Sequence, residues 1–405
     1  MKNNLKERDK KNNGITLIAL VITIIVLLIL AGVTIAMVKG QNGIVTQAQN
    51  AESATKKGEA EEQRSLAQIE AKLNKNGTEY KEDDGNGNTT TVKIPKGFVM
   101  TNVEGESTIE EGLVIIDGDG NEYVWIPCTE EEYKNATDQK GNWRQWGYSD
   151  KEWNDETVAD TISYEDRLES VRNNGGFYVA RYEAGIPEEA TEIYANEDGG
   201  TYETATKKNS VDVVENYAPT SRKNMQAWNY ISQTNAKKAV KEMASNEDVQ
   251  SYLIDSYAWD IICKKYESLG TSLTDSRKYG NYYNNVKTNY EGLNTLYALH
   301  KYDNGWTIAT TYNKGQVTGA PKGKGTNRLE LATGASDDFK IYNIYDMAGN
   351  MWEWTTETST NGYAVLRGGS FNNDGSSDTV VCRYGNNGVG HTNIYVGFRA
   401  VLYLK

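Results

Sequence analysis

Histidine is nearly missing from these 405 residues: only His300 and His391 occur. No site that needs two or three imidazoles close together in the chain, such as zinc on an H-E-x-x-H helix or iron on a facial triad, can therefore be assembled. Cysteine is scarce too. Cys128, Cys263 and Cys382 are odd in number, widely spaced and set mostly in apolar runs such as VWIPC and WDIIC, which is no disulfide framework. A P-loop and a G-x-S-x-G elbow are both missing. GKGTN at 323–327 lacks the lysine spacing of a phosphate cradle, so nucleotide chemistry has no support. Basic charge is short as well: the chain carries a net −13 although its first 14 residues carry +3, and so acidic a body argues against nucleic acid as partner.

Phenylalanine is rare, 5 against 27 Tyr and 9 Trp, so the aromatic rings mostly carry polar tips and suit half-buried sheet positions and binding surfaces. The length exceeds one typical domain, and a body of roughly 300 residues buries a large core without staples.

Residues 15–38, ITLIALVITIIVLLILAGVTIAMV, hold no charge, and 16 of the 24 are Ile, Leu or Val. As a helix they span about 36 Å against a hydrocarbon core of about 30 Å, which predicts a transmembrane helix. The apolar region of a secretory signal is shorter, about 7 to 15 residues. Lys2, Lys6, Arg8, Lys10 and Lys11 precede the span, so the positive-inside rule keeps the N-terminus cytoplasmic and sends the rest outside the cell as a single-pass protein. A basic leader, Gly14 and then this apolar run resembles the leader and first helix of type IV pilin-like proteins. The resemblance implies cleavage by a prepilin peptidase after Gly14, leaving Ile15 as the new N-terminus. That family has an aromatic residue first and a glutamate fifth, where Ile15 and Ala19 stand here; the missing carboxylate counts against filament assembly. A plain membrane anchor is the other reading, and both stay open.

Beyond the span, 39–74 is rich in Ala, Glu, Gln and Lys with Leu66, Ile69 and Leu73 on one face, and is expected as a helical stem. The stretch 75–93 has the Asn, Gly, Asp and Thr of a linker. GLVIIDGDGNEYVWIP predicts a hairpin; its DGDGNE turn has Cys128 rather than Glu at the twelfth position of a calcium loop. GGFYVARYEAG reads as a strand, while KNMQAWNYISQTNAKKAVKEMAS and VQSYLIDSYAWDIICKKYES carry apolar residues at helical spacing. Long loops are expected over about 269–340.

Near the C-terminus stand YNIYDMAGNMWEWTTE, VLRGGSFNNDGSS, CRYGNN and VGFRAVLYLK. In order and spacing these resemble the formylglycine-generating enzyme, or sulfatase-modifying factor, family, and the likeness is read over about 95–405. It implies an α+β fold of C-type lectin-like type with long loops over 94–405, following leader 1–14, transmembrane helix 15–38, stem 39–74 and linker 75–93.

In WEW, alternation sends Trp352 and Trp354 one way and Glu353 the other; the tryptophans are expected in the core. Asp346, the Gly349 and Met351 carbonyls and Glu353 offer four hard oxygens in one tight loop, and the family's use of these positions implies calcium; a structural turn with an outward Glu353 is the competing reading. Arg367 and Arg399 are expected as paired framework residues.

The family's oxidases use two cysteines soon after GGS, which bind copper; here that stretch is FNNDGSSDTVV, and Cys382 lies beyond it with no second cysteine near. A branch using iron needs a histidine cluster that this chain lacks. Copper, iron, zinc and nucleotide are therefore not expected, and Cys382 with His391 shows no third group to orient a nucleophile and base. What the region holds instead is Asn372, Asn373, Asp374, Ser377, Asp378, Arg383, Tyr384, Asn386, Asn387, His391, Asn393 and Tyr395, the adaptable polar and aromatic mixture of binding loops. The same frame is used by target proteins of diversity-generating retroelements, to whose varied final segment this tail is similar.

The expected function is non-catalytic ligand binding or adhesion at the cell surface, with the tail as a diversified surface. A pilin-like or pseudopilin part of a filament or secretion machine is one alternative, and a divergent sulfatase-modifying-factor enzyme the other. Expected partners are an extracellular ligand, protein or glycan, the lipid bilayer, prepilin peptidase and other pilin-like subunits, and no nucleic acid.

Overall fold

The structure is a computed structural model that describes residues 44–83, 85–136, 162–190, 208–286, 327–359 and 362–405. It also describes Ile24, Leu27 and short pieces at 145–147, 153–154, 293–295, 300–302, 306–308 and 315–316. The chain divides into two compact units, Met1–Glu62 and Gln63–Lys405.

The stem expected over 39–74 is helical from Ile44 to Leu73 (α1), a run of Ala, Gln, Glu and Lys that loses little rotamer freedom in a helix. Within the second unit α1 buries Ala67 and Ala71, donates from Gln68 Nε2 to the Gly118 carbonyl at 3.1 Å, and ion-pairs Arg64 with Glu106 and Glu122. Positions 64, 67, 68 and 71 form one helical stripe. Leu66, Ile69 and Leu73 lie off that stripe and are 48%, 58% and 72% exposed. Small alanines let the helix approach closely enough for Arg64 to reach the two acids, and that geometry sets the docked face.

Residues 75–93 are not the expected linker but a hairpin of β1 (Thr78–Asp83) and β2 (Thr89–Ile94). Its threonine-rich second arm suits a pleated strand, and Val92 and Ile94 are buried. Then come β3 (Phe98–Met100), β4 (Val114–Asp117) and β5 (Glu122–Pro127). The hairpin predicted from GLVIIDGDGNEYVWIP is the β4–β5 pair, with Ile115 opposite Tyr123. Asp117 closes its turn by accepting from the backbone N–H groups of Asp119 and Asn121 at 2.9 and 2.8 Å.

Helices α2 (Glu130–Lys134) and α3 (Tyr164–Asn174) lead to β6 (Gly176–Ala180), the strand read from GGFYVARYEAG. The two later stretches read as helical are each only partly so. In the first, helix α4 covers Gln233–Val240 alone, because Ser232 caps it and Tyr230 just before has φ of +55°, which a helix does not accept. In the second, Val249–Leu253 is strand β7, whose Val249, Ser251 and Leu253 are buried while Gln250 and Tyr252 are half-buried, a period of two. Helix α5 (Ser256–Ser268) starts only where the Asp255 carboxylate accepts from Ala258 N–H at 2.9 Å. Four strands follow near the C-terminus, β8 (Trp352–Ser359), β9 (Tyr363–Arg367), β10 (Arg383–Gly388) and β11 (Val396–Phe398), and then the last, β12 (Ala400–Leu404).

Two six-stranded sheets organise the second unit. The first runs β3-β4-β5-β6-β12-β7 and is antiparallel throughout; the second runs β11-β8-β9-β10, continued by 145–147, with 153–154 pairing to β8. Both faces of the first sheet are covered. Tyr123, Trp125, Tyr178 and Leu402 pack in one core with Trp228, Trp354 and Phe398, while Val124, Ile126, Phe177, Val179 and Val401 pack in another with Trp259 and Ile262 of α5. Burial on both faces explains why β6 and β12 are nearly all apolar instead of alternating. The α+β class expected from the sequence is the class observed.

One expectation is overturned. Among the described residues no helix is long and apolar enough to cross a membrane. The long helix that is described, α1, carries Glu, Lys, Arg or amide side chains along its length, which a hydrocarbon core does not accept. The N-terminal transmembrane helix placed at 15–38, and the single-pass placement with cytoplasmic N-terminus built on it, are corrected accordingly. Of 15–38 only Ile24 and Leu27 are among the described residues, and Gly14 and Ile15 are not.

Candidate ligand-binding site

The second sheet sorts its side chains by strand register. Trp352 stands beside Val396 and Trp354 beside Phe398 across the parallel β8–β11 pair, Trp354 faces Leu366 across β8–β9, and Leu366 faces Tyr384 across β9–β10. These residues share one face of the sheet. Their neighbours in sequence, Glu353, Arg367 and Arg383, are paired in the same ladders and project from the other face.

That other face is ionic and fully buried. Asp260 of α5 accepts from Arg367 Nη2 at 2.7 Å and from Arg383 Nη2 at 2.5 Å, and Arg383 Nε donates to Glu357 Oε2 at 3.3 Å. All four side chains are 0% exposed. Arg383, expected among the ligand-binding residues, is thus corrected to a framework residue: it sits next to Tyr384 on one strand and must face the other way. Arg367 and Arg399 are framework residues as expected. Arg399 grips Glu353 through Nε and Nη2, the shortest contact being 2.7 Å, and its Nη1 and Nη2 also donate to the carbonyls of Ala180 and Tyr345 at 3.0 and 2.8 Å. The final arginine of VGFR therefore ties the two sheets and the 345 loop together.

The loop expected to hold calcium is organised by protein groups. Glu353 is not outward but buried, with both carboxylate oxygens on Arg399. Asp346 accepts from the Gly334 N–H at 2.7 Å. Glu183 accepts from Asn350 Nδ2 at 2.7 Å and from Met351 N–H at 3.0 Å. Gly349, with φ of +76°, lets the chain pass against the Asn281 backbone. Burial pushes the Asp346 carboxyl up to about 7 and raises Glu183 and Glu353 as well, with Arg399 pulling each of the three down. A calcium ion at Asp346, Gly349, Met351 and Glu353 would have to displace a guanidinium that already satisfies Glu353. Among the described residues no group of three or more His, Cys, Asp or Glu stands ready for a metal ion. This donor set does not fit calcium.

On the aromatic face lies a pocket of about 420 Å³, lined by Trp352, Leu366, Asn373, Asp378, Tyr384, Asn387, His391, Asn393, Tyr395 and Val396. The sheet supplies its apolar floor, with the Tyr384 ring 5.8 Å from Trp352. The segment after RGGS wraps round to supply the walls. Phe371 braces Tyr395 edge-on at 5.4 Å, and the Tyr395 carbonyl accepts from Trp352 N–H at 2.8 Å. Asn373 Oδ1 accepts from Ser370 N–H and Oγ at 3.1 and 2.5 Å, and Asn393 Oδ1 accepts from Tyr395 N–H at 3.1 Å. Partial burial lowers the His391 ring below its ordinary value, favouring its neutral form.

Of the expected ligand-binding residues, Asn373, Asp378, Tyr384, Asn387, His391, Asn393 and Tyr395 thus come together. Asn372, Asp374 and Ser377 do not line the pocket. They belong to the turn before it, where Asp374 accepts from the Ser376 N–H and hydroxyl at 2.8 and 2.6 Å and Asn372 N–H donates to Ser370 Oγ. The Asn386 side chain lies outside the described residues. Sequence reasoning missed Trp352, Leu366 and Val396 as floor, and Asp260 as the acid under the frame. Asp260 had a signal: a lone carboxylate in the apolar helical run AWDIIC.

The three cysteines are buried and form no disulfide, and burial drives the Cys128 and Cys263 thiols far above their ordinary value, away from the reactive thiolate.

Compared with known proteins, residues 275–404 match the sulfatase-modifying factor enzyme 1-like domain. The resemblance read from GN-x-WEW, RGGS and GFR holds for that stretch, which begins well after the expected residue 95. Comparison with curated proteins gives no match. Among solved structures, Treponema denticola variable protein 1 is similar at 13% identity over 81% of this chain and 92% of that chain, with a TM-score of 0.21. A score so low carries no argument.

Proposed function

We propose that this chain is a non-catalytic binding protein whose ligand seats in the pocket between the second sheet and the segment 373–396. One observation carries the reading. The aromatic and amide side chains of that segment converge on a concave site with an apolar floor, while its one arginine, Arg383, is turned away and locked beneath. The stretch where the related oxidases hold their cysteine pair contains no thiol in this chain, which speaks against that chemistry here.

The test is affinity selection from mixed small-molecule, glycan and peptide libraries on the full chain and on Asn387→Trp, which fills the pocket from a half-buried strand position. Ligands enriched by the natural chain and lost with Asn387→Trp support the reading. Selection that is indifferent to the substitution overturns it.

A second reading, a tail diversified to change ligand, is favoured by the division of labour in the site. Eight of the ten lining residues come from 373–396, whereas the frame is held by Arg367 and Arg399 outside that segment and by Arg383 within it, none of which lines the pocket. Substitutions confined to the lining codons across strains, beside a near-identical DNA repeat, would support it; an unvarying tail removes it.

A further inference from the structure

We infer that this pocket is built for an uncharged, hydroxyl-bearing saccharide held by amide donors over aromatic rings without a metal ion, a reading that rests on the binding function proposed above. The amides carry the argument. Asn373 and Asn393 each spend the side-chain oxygen on the protein's own backbone, Asn373 on Ser370 and Asn393 on Tyr395. Among the described residues neither Nδ2 has a protein partner, and neither is among the buried polar atoms left unsatisfied. Each amide is therefore fixed by its oxygen and presents its two N–H donors where water or a ligand reaches them. Asn387 adds a third amide to the lining. Donors held in this way ask for acceptor oxygens on the ligand.

The rest of the lining narrows the class. Among the described residues it contains no Lys or Arg and a single carboxylate, Asp378, a group that accepts hydrogen bonds from hydroxyls and repels phosphate, sulfate and carboxylate groups. The net charge of −13 adds to that repulsion. Partial burial disfavours a counter-charge on His391. Trp352, Tyr384 and Tyr395 offer ring faces or edges to an apolar surface, and a saccharide is the ligand class that combines flat C–H faces with a rim of hydroxyl oxygens. A volume of about 420 Å³ lies toward the small end of ligand pockets, roughly 300–1,000 Å³, and suits a short saccharide better than a protein surface.

The experiment titrates the full chain by calorimetry with glucose, galactose, mannose, N-acetylglucosamine and their β-1,4 disaccharides, and with glucose 6-phosphate and sialyllactose as charged counterparts. Asn373→Asp and Asn393→Asp keep the oxygen that the backbone uses and remove the donors; Tyr384→Ala removes a ring. The expected result is binding of at least one uncharged saccharide, weaker by about tenfold or more in each Asp variant and in Tyr384→Ala, with near-ultraviolet circular dichroism confirming that each variant is folded. Should one variant unfold, the other two decide. Preference for the charged counterparts, or no binding of any saccharide, overturns the inference. A peptide that binds the natural chain but not Asn387→Trp would overturn the saccharide and leave the binding function standing. If no ligand of any class responds to Asn387→Trp, both fall.

Discussion

Replacing Asp260 with alanine removes the one carboxylate that answers two buried guanidinium groups, Arg367 at 2.7 Å and Arg383 at 2.5 Å, at a point where nothing is exposed. Arg383 keeps Glu357 at 3.3 Å, but among the described residues Arg367 keeps only the Cys382 carbonyl at 3.2 Å and the Trp259 ring. Removing one partner of a buried pair costs roughly 3–5 kcal/mol, because the remaining charge stays buried without compensation. Set against a total stability of about 5–15 kcal/mol for a folded domain, Asp260→Ala is expected to take about a fifth of it or more. Asp260→Asn keeps the shape and one acceptor oxygen and should cost less. Replacing the whole buried cluster, Asp260→Leu and Glu357→Met with Arg367→Met and Arg383→Met, should recover much of the loss, since apolar groups of similar volume leave no stranded charge. Urea unfolding of the full chain followed by tryptophan fluorescence measures all three. A value for Asp260→Ala within about 1 kcal/mol of the natural chain would refute the claim that this acid carries the frame.

Further expectations follow from the same geometry. Gly349→Ala places a Cβ 2.4 Å from the Asn281 carbonyl oxygen on a residue with φ of +76°, so the loss should exceed the roughly 1 kcal/mol of the left-handed conformation alone; thermal melting checks it. Trp354→Ala empties a fully buried site and strands the Ile231 carbonyl that accepts from its indole at 2.9 Å, for about 3–5 kcal/mol by chemical denaturation. The Asp346 carboxyl, pushed up from an ordinary 3.8 to about 7 in the fold, keeps its proton to higher pH in the folded state than in the unfolded chain. Its stabilisation is therefore fully present below about pH 4 and is lost as pH rises through about 7; Asp346→Asn should flatten that slope in urea midpoints measured from pH 4 to 8. Finally, the buried thiols should not react with a thiol reagent in the native protein and should all titrate once it is denatured; a rapidly reacting native cysteine would reopen catalysis by thiol.

Much was legible in the chain because the physics involved is local. A period of two in WEW announces which residues share a sheet face, and apolar runs such as GFYVA announce strands buried on both sides. The DGDGNE turn announces the β4–β5 hairpin, and seven of the residues proposed from the family resemblance together with their polar and aromatic character do meet in one pocket. The same alternation, applied to CRYGNN, would have removed Arg383 from the binding set, since Tyr384 and Arg383 cannot both face the pocket. The helical reading of VQSYL failed because an apolar count does not reveal that β12 waits beside it, nor that Asp255 supplies the cap that delays α5.

What the sequence by itself determined is therefore the α+β class, the alternation within strands, the thiols missing from the oxidase position and the kinds of side chain available for binding. Only the tertiary structure decided which charges meet. Whether Glu353 turns to a metal or to Arg399, and whether Arg383 reaches for a ligand or for Asp260, depends on residues brought together from 46 and 123 positions away. The docked face of α1 was decided in the same way, by two acids that Arg64 finds 42 and 58 residues further on. An ion pair is a property of distance in space, and in this fold its partners are set by the crossing of two sheets over one helix rather than by any spacing along the chain.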